Sequence, residues 1–227
     1  MSEINLNSNL SSCMITGVGN AGKGSSSDRE GVNELVMLEW QAFDKVQNEG
    51  GRASCQDDWD TFSIMRRAQY DTWTDEMLDS YIDDFYSANE AGWNLVTEKY
   101  ARMEESTAPA EYAKIKDSLP PVSENKAAIV DQIAGIQVDW MEDFAANYPK
   151  AAANARSIRR ETDTETNTSY ETYLRGELLT YSDRTLALYG QFIVKLAGNG
   201  KNLAYMIMEN TAKAYGYESL DDMEGKL

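Results

Sequence analysis

The chain has 227 residues and a formal net charge of −17, from 38 acidic against 21 basic side chains, and it contains no histidine. That charge repels nucleic-acid phosphates and anionic membrane surfaces, so neither is expected as a partner. The missing histidine removes Ser-His-Asp and Cys-His nucleophile activation, His-ligated zinc and the Glu-x-x-His pairs of di-iron bundles; carboxylate, lysine, cysteine or tyrosine chemistry remains.

The first 28 residues are rich in Ser, Asn and Gly and read as a disordered leader to a single domain over 29–227. Within them "GVGNAGKG" imitates a phosphate loop through Gly17, Gly22 and Lys23. Gly24 stands where the magnesium-binding Ser or Thr belongs, and "SSSDREG" follows instead of a helix, so the imitation is set aside. The start "MSEINLNSNLSSC" lacks the basic and apolar parts of a signal peptide, and no apolar run approaches the roughly 18 to 20 residues of a membrane span. Two cysteines make no disulfide framework and fit a reducing compartment, so a cytoplasmic protein is expected.

From Asp28 onward the periodicity is helical, over 31–48, 55–73, 75–105, 109–118, 124–147, 169–197 and 202–215, and no segment alternates with period two. The expected fold is therefore an all-α multi-helix bundle, with the 13 Tyr, 5 Trp, 5 Phe and 10 Met supplying much of its packing. Gly50-Gly51, Pro109, Pro120-Pro121, Pro149 and Gly198 to Gly200 punctuate the helices. An internal echo points to two pseudo-symmetric halves, 31–108 and 124–216: "DTF" at 60 resembles "ETY" at 171, Tyr70 pairs with Tyr181, and "GWNL" at 92 resembles "GKNL" at 200.

Helical wheels pick out polar residues on apolar faces. Glu39 falls at the centre of the arc formed by Leu35, Val36, Trp40, Phe43 and Val46. Arg66 and Gln69 lie among Trp59, Phe62, Tyr70 and Trp73, Lys99 sits between Leu95, Val96 and Met103, and Asn210 shares its face with Leu203, Met206 and Ala214. Helix 124–147 is clean except for Gln137. Glu177 lies beside Tyr173 and Tyr181, while Arg175 points to a more polar side as a surface ion-pair former. Buried ions cost several kcal/mol each unless paired with one another or with a ligand. The set therefore predicts either an inward salt-bridge lock or a polar pocket, and the pocket is the expectation here.

"GGRASCQDDW" at 50–59 gives Ser54 and Asp57 capping-box spacing, which predicts a helix starting at Cys55. A first-turn thiolate is favoured by the helix dipole and by Arg52 but opposed by Asp57 and Asp58; Cys55 is an alternative nucleophile beside the plainer reading of a packed thiol. Asp57 and Asp58 with Glu39 are an alternative set for Mg²⁺, although paired acids at helix starts are common without metal, and no cofactor is expected.

"FDKVQNEGGRASCQDDWDTFSIMRRAQY", "TEKYARMEESTAPAEY" and "SYETYLRGELLTYS" resemble a bacterial family known as domain of unknown function 4125, over about Asn33 to Leu220. The resemblance implies a helical bacterial cytosolic protein and transfers no site. From the residues, the expected function is an enzyme acting on a small polar or anionic metabolite. Arg66, Gln69, Arg52 and Asn210 would bind it, Glu39, Lys99 and Glu177 would carry acid-base chemistry, and Tyr173 and Tyr181 would line the site. The "SIRRETDTETNTS" loop would be its lid, with Arg159 or Arg160 meeting the anion. The alternative is a non-catalytic ligand-sensing or protein-interaction domain.

Overall fold

Side-chain oxygens start most of the helices. Asp58, Thr74, Asn94, Ser123, Ser169, Ser182, Asn202 and Ser219 each accept a hydrogen bond from a backbone N–H in the first turn that follows, satisfying one of the donors a helix leaves open. The computed structural model describes residues 29–48, 50–153 and 155–227, so the leader, its phosphate-loop imitation and Cys13 lie outside the described residues. Among these residues there are eleven α-helices and no strand: α1 (Glu30–Asp44), α2 (Trp59–Tyr70), α3 (Asp75–Glu90), α4 (Leu95–Thr107), α5 (Pro109–Ile115), α6 (Glu124–Asn147), α7 (Pro149–Ala152), α8 (Tyr170–Thr180), α9 (Asp183–Gly198), α10 (Leu203–Ala214) and α11 (Leu220–Lys226). None is long and apolar enough to cross a membrane.

Of the expected helices, 31–48 stops at Asp44 and 109–118 is α-helical to Ile115, two others divide and one begins late. The segment 75–105 divides because Gly92 takes φ 68°, the left-handed conformation that closes a helix, after which Asn94 caps α4. The segment 169–197 divides at Tyr181, which is extended, and Ser182 restarts the chain as the cap of α9. The capping box of Ser54 and Asp57 does not form. Residues Ser54–Asp57 make a 3₁₀ turn whose Gln56 is buried, accepting from Ala53 N and donating to Phe43 O and Val46 O. The amide of Gln56 thus ties the turn to the end of α1, and Asp58, not Ser54, caps α2 through Thr61 N.

The helices run as α1–α2–α3–α4–α5 and then α6 with α8–α9–α10–α11, and the two runs exchange partners: α4 packs on α8, α10 packs on α2, and α3 lies against α9. The α4–α8 approach depends on Gly176, where a Cβ would stand 2.9 Å from the backbone oxygen of Lys99. At the centre, Tyr70, Trp73, Tyr81, Tyr181 and Tyr189 pack ring against ring, with Tyr81 and Tyr181 centroids 4.6 Å apart. A second core of Phe144, Ala151, Ala204, Met208 and Leu220 holds α6, α7, α10 and α11 together.

Candidate functional site

Four charged side chains from four helices meet in the middle of the bundle. Glu39 of α1, Arg66 of α2, Lys99 of α4 and Glu177 of α8 are all more than nine-tenths buried, as their places on apolar arcs require. Arg66 Nε donates to Glu39 Oε2 at 2.5 Å, and Tyr70 OH donates to the same oxygen at 2.6 Å. The guanidinium continues through Nη1 to Gln69 Oε1 at 3.0 Å and through Nη2 to Tyr70 OH at 2.7 Å and Glu177 Oε1 at 3.3 Å. Lys99 Nζ donates to Glu177 Oε2 at 2.8 Å and rests 3.8 Å from the ring centroid of Tyr173. Gln69 Nε2 and Tyr181 OH complete the shell of Glu177.

Two carboxylates and two cations cancel, and the charges of their partners shift Glu177, Arg66 and Lys99. Burial alone would raise Glu177, but Arg66 and Lys99 outweigh it and hold the carboxyl well below the usual carboxylate range. Burial alone would lower Arg66 and Lys99; Glu177 reverses this at both, with Glu39 adding to it, and each ends above its ordinary value. Burial pushes Tyr70 and Tyr181 up, so both phenols stay protonated. Beside the cluster a void of about 30 Å³ between Glu39, Phe62, Arg66, Lys99 and Tyr173 has room for a single water.

The structure therefore brings together seven of the expected residues: Glu39, Arg66, Gln69, Lys99, Tyr173, Glu177 and Tyr181. It does not bring Asn210, Arg52 or Cys55 to them. Asn210 Nδ2 donates to Ala68 O and fastens α10 to α2, so a backbone carbonyl satisfies this polar residue on its apolar face. Arg52 is at the surface, bound to Asp44, Asp57 and the carbonyl of Gln56. Cys55 is a half-buried thiol of the 3₁₀ turn, packed against the core. The Mg²⁺ set disperses: Asp57 pairs with Arg52, Asp58 caps α2 and Glu39 is held by Arg66. Among the described residues no group of three or more acidic or thiol side chains is placed to hold a metal ion.

The expected lid is fastened down. Asp163 accepts from Ser169 N at 2.6 Å and from Ser106 Oγ at 2.6 Å, binding the loop to α8 and α4. Arg159 is paired with Glu142 of α6, and Arg160 lines a separate cleft with Arg102 and Arg175. Arg175 bonds Asp131 and Glu171 as the ion-pair former the sequence predicts.

On the other side of Arg66 a cavity of about 260 Å³ opens between α2, α6, α7, α8 and α10. Its walls are largely apolar and aromatic, with Met65, Trp140, Phe144, Tyr170, Tyr173 and Ile207 among them, and its polar side chains are Arg66, Gln69, Gln137 and Arg156. Gln137 is 3% exposed; its Oε1 accepts from Tyr189 OH at 3.0 Å, while its Nε2 has no partner among the described residues. Arg156 lies 4.6 Å from the Tyr173 ring centroid and donates to Thr168 O. No carboxylate among the described residues is within ion-pair reach of it. Sequence reasoning notes Gln137 only as an intruder and passes over Arg156, which sits outside any periodic segment. It also misses Tyr70 as a cluster member and the buried pair of Glu98 and Arg102 on α4, a helix covered by α1, α5 and α8.

The model of one protein family, described as "Protein of unknown function (DUF4125)", matches residues 29–225. The chain belongs to this family. No curated protein and no solved structure matches it. The family match spans α1 through α10 and so contains both the charged cluster and the cavity.

Proposed function

We propose that this member of the family is a single-domain cytoplasmic protein that binds a small molecule in the cavity between α2, α6, α8 and α10. In this reading the Glu39–Arg66–Lys99–Glu177 cluster is the rigid wall of the site. The observation that carries it is the Gln137 amide: a buried N–H donor without an acceptor costs about 1–3 kcal/mol, and here it borders a cavity instead of protein. Concave, apolar walls with a few converging polar groups are the ordinary form of a small-molecule site.

The shifts of Glu177, Lys99 and Arg66 favour a binding role for these three groups over acid-base catalysis. A group that shuttles protons needs a pKa near the working pH, whereas Glu177 is held far below neutrality and Lys99 and Arg66 above their ordinary values. Cys55, as a thiol, suits a reducing compartment.

A thermal-shift screen of a metabolite library tests the proposal. A ligand at about 100 times its Kd stabilises by about 2.7 kcal/mol, which raises the melting temperature by several degrees. Ala152→Phe, at a half-buried position in the cavity wall, should abolish the shift without large loss of stability. Hits that persist undiminished in Ala152→Phe, or a library without hits, would remove the cavity reading.

A further inference from the structure

Resting on that reading, we propose that the occupant is a monocarboxylate with an apolar body, its carboxylate held by Gln137, Arg156 and Arg66. The two helical runs place equivalent groups at equivalent points. Thr74 and Ser182 cap α3 and α9, Tyr81 and Tyr189 follow at the same spacing inside those helices, and Asn94 and Asn202 cap the next helices. Asn94 Nδ2 donates to Ala42 O of α1, and Asn202 Nδ2 donates to Trp140 O of α6. One turn before those two carbonyls stand Glu39 and Gln137.

The chain supplies its own carboxylate at the first of these positions, where Glu39 satisfies Arg66 and Tyr70. At the second it supplies a neutral amide whose N–H is left over, beside a cavity instead of a filled core. The charged side chains lining that cavity are two guanidinium groups, and the carboxamides of Gln69 and Gln137, the phenols of Tyr170 and Tyr173 and the indole of Trp140 can each donate as well. No Asp or Glu lines it, in a chain where acids outnumber bases 38 to 21. Arg66 carries five N–H donors, and one on Nη1 remains after its bonds to Glu39, Gln69, Tyr70 and Glu177.

Charge balance selects a monoanion. The positive charge of Arg66 is already cancelled within the cluster, which leaves the Arg156 guanidinium as the uncompensated charge, and a planar carboxylate can meet it with two parallel bonds. A phosphate dianion would bring an excess negative charge into an apolar cavity, at a desolvation cost nothing there offsets. The volume, about 260 Å³, lies just under the range of roughly 300–1,000 Å³ for drug-sized ligands, so the body is metabolite-sized. Trp140, Phe144 and Met65 provide its apolar and aromatic surroundings.

The test compares matched pairs in ligand-observed NMR and calorimetry on the full chain: 3-phenylpropionate against 3-phenylpropanamide, and hexanoate against hexanamide, with 3-phenylpropylamine as the cation. The carboxylates are expected to bind at least tenfold more tightly than their amides, and the amine not at all. Arg156→Gln should bring each pair to near equality by weakening the carboxylates at least tenfold more than their amides, whereas a merely structural role for Arg156 would weaken both members of a pair alike. Amides binding as well as carboxylates would overturn the charge assignment and leave the cavity reading standing. Absence of binding by every member of both pairs at millimolar concentration would overturn the two together.

Discussion

Replacing Glu177 by Gln keeps the shape of the side chain and removes the charge that Lys99 and Arg66 share. Lys99 Nζ at 2.8 Å and Arg66 Nη2 at 3.3 Å then face only Glu39, so the buried cluster carries a net positive charge. Breaking a buried pair by removing one partner costs about 3–5 kcal/mol, because the other ion stays desolvated. At roughly 2–4 °C per kcal/mol for a domain of this size, the melting temperature should fall by on the order of 10 °C. Lys99→Met is expected to cost a similar amount, since the one ion pair left to Glu177 is the longer one, with Arg66. The double variant restores electroneutrality with the Glu39–Arg66 pair intact, so its loss should be smaller than the sum by about 2–3 kcal/mol. Urea denaturation at pH 7, followed by circular dichroism and tryptophan fluorescence, measures all three. Single variants that lose less than about 1 kcal/mol, or a double variant that equals the sum, would refute the cluster as a closed electrostatic unit.

The pH profile follows from the same groups. Glu177 is held below the carboxylate range, so the stability it contributes is complete above an unfolded-state pKa of about 4.3 and is lost as pH falls through its lower folded value. Lys99 and the buried phenols of Tyr70, Tyr81, Tyr181 and Tyr189 are raised. Their contribution is complete below about pH 10 and is lost as pH rises toward their folded values. With no histidine, thermal melts should be flat from roughly pH 5.5 to 9; a midpoint that moves strongly between pH 6 and 8 contradicts the assignment. Gly176→Ala places a Cβ 2.8 Å from Met103 Cγ and 2.9 Å from Lys99 O, and should cost about 1–3 kcal/mol by spreading α4 from α8. Gly135→Ala on the exposed face of α6 meets nothing within 4 Å and should stabilise by up to about 1 kcal/mol; equal effects in chemical denaturation would show that helix propensity, not the close approach, sets both.

Glu39, Arg66, Lys99 and Glu177 were legible in the sequence because each lies on or beside the apolar arc of its own helix, and a charge in that position must find a partner inside. Asn210 occupies the same kind of position, yet its partner is Ala68 O, and a wheel does not distinguish a side-chain partner from a backbone one. The periodicity of 124–147 coincides with α6 at both ends, since Ser123 caps it and no glycine adopts positive φ within it. The breaks at Gly92 and Tyr181 leave no mark in the sequence pattern, because the apolar period runs on across them. The Ser54–Asp57 spacing misled because Gln56, buried against the end of α1, fixes that turn by contacts distant in sequence. Gln137 was visible as a polar residue on an apolar face, but that its amide lacks an acceptor is a fact of the tertiary packing. Arg156 lies between α7 and α8, where no periodicity marks it.

The most direct test of the cavity is the side-chain amide signal of Gln137, assigned in ¹H–¹⁵N spectra by its loss in Gln137→Leu. On saturation with 3-phenylpropionate, or with the compound giving the largest thermal shift, this pair of resonances should move further than any other side-chain amide and exchange more slowly with solvent, because Nε2 gains an acceptor. A saturated protein in which the Gln137 amide signal stays in place would contradict the account.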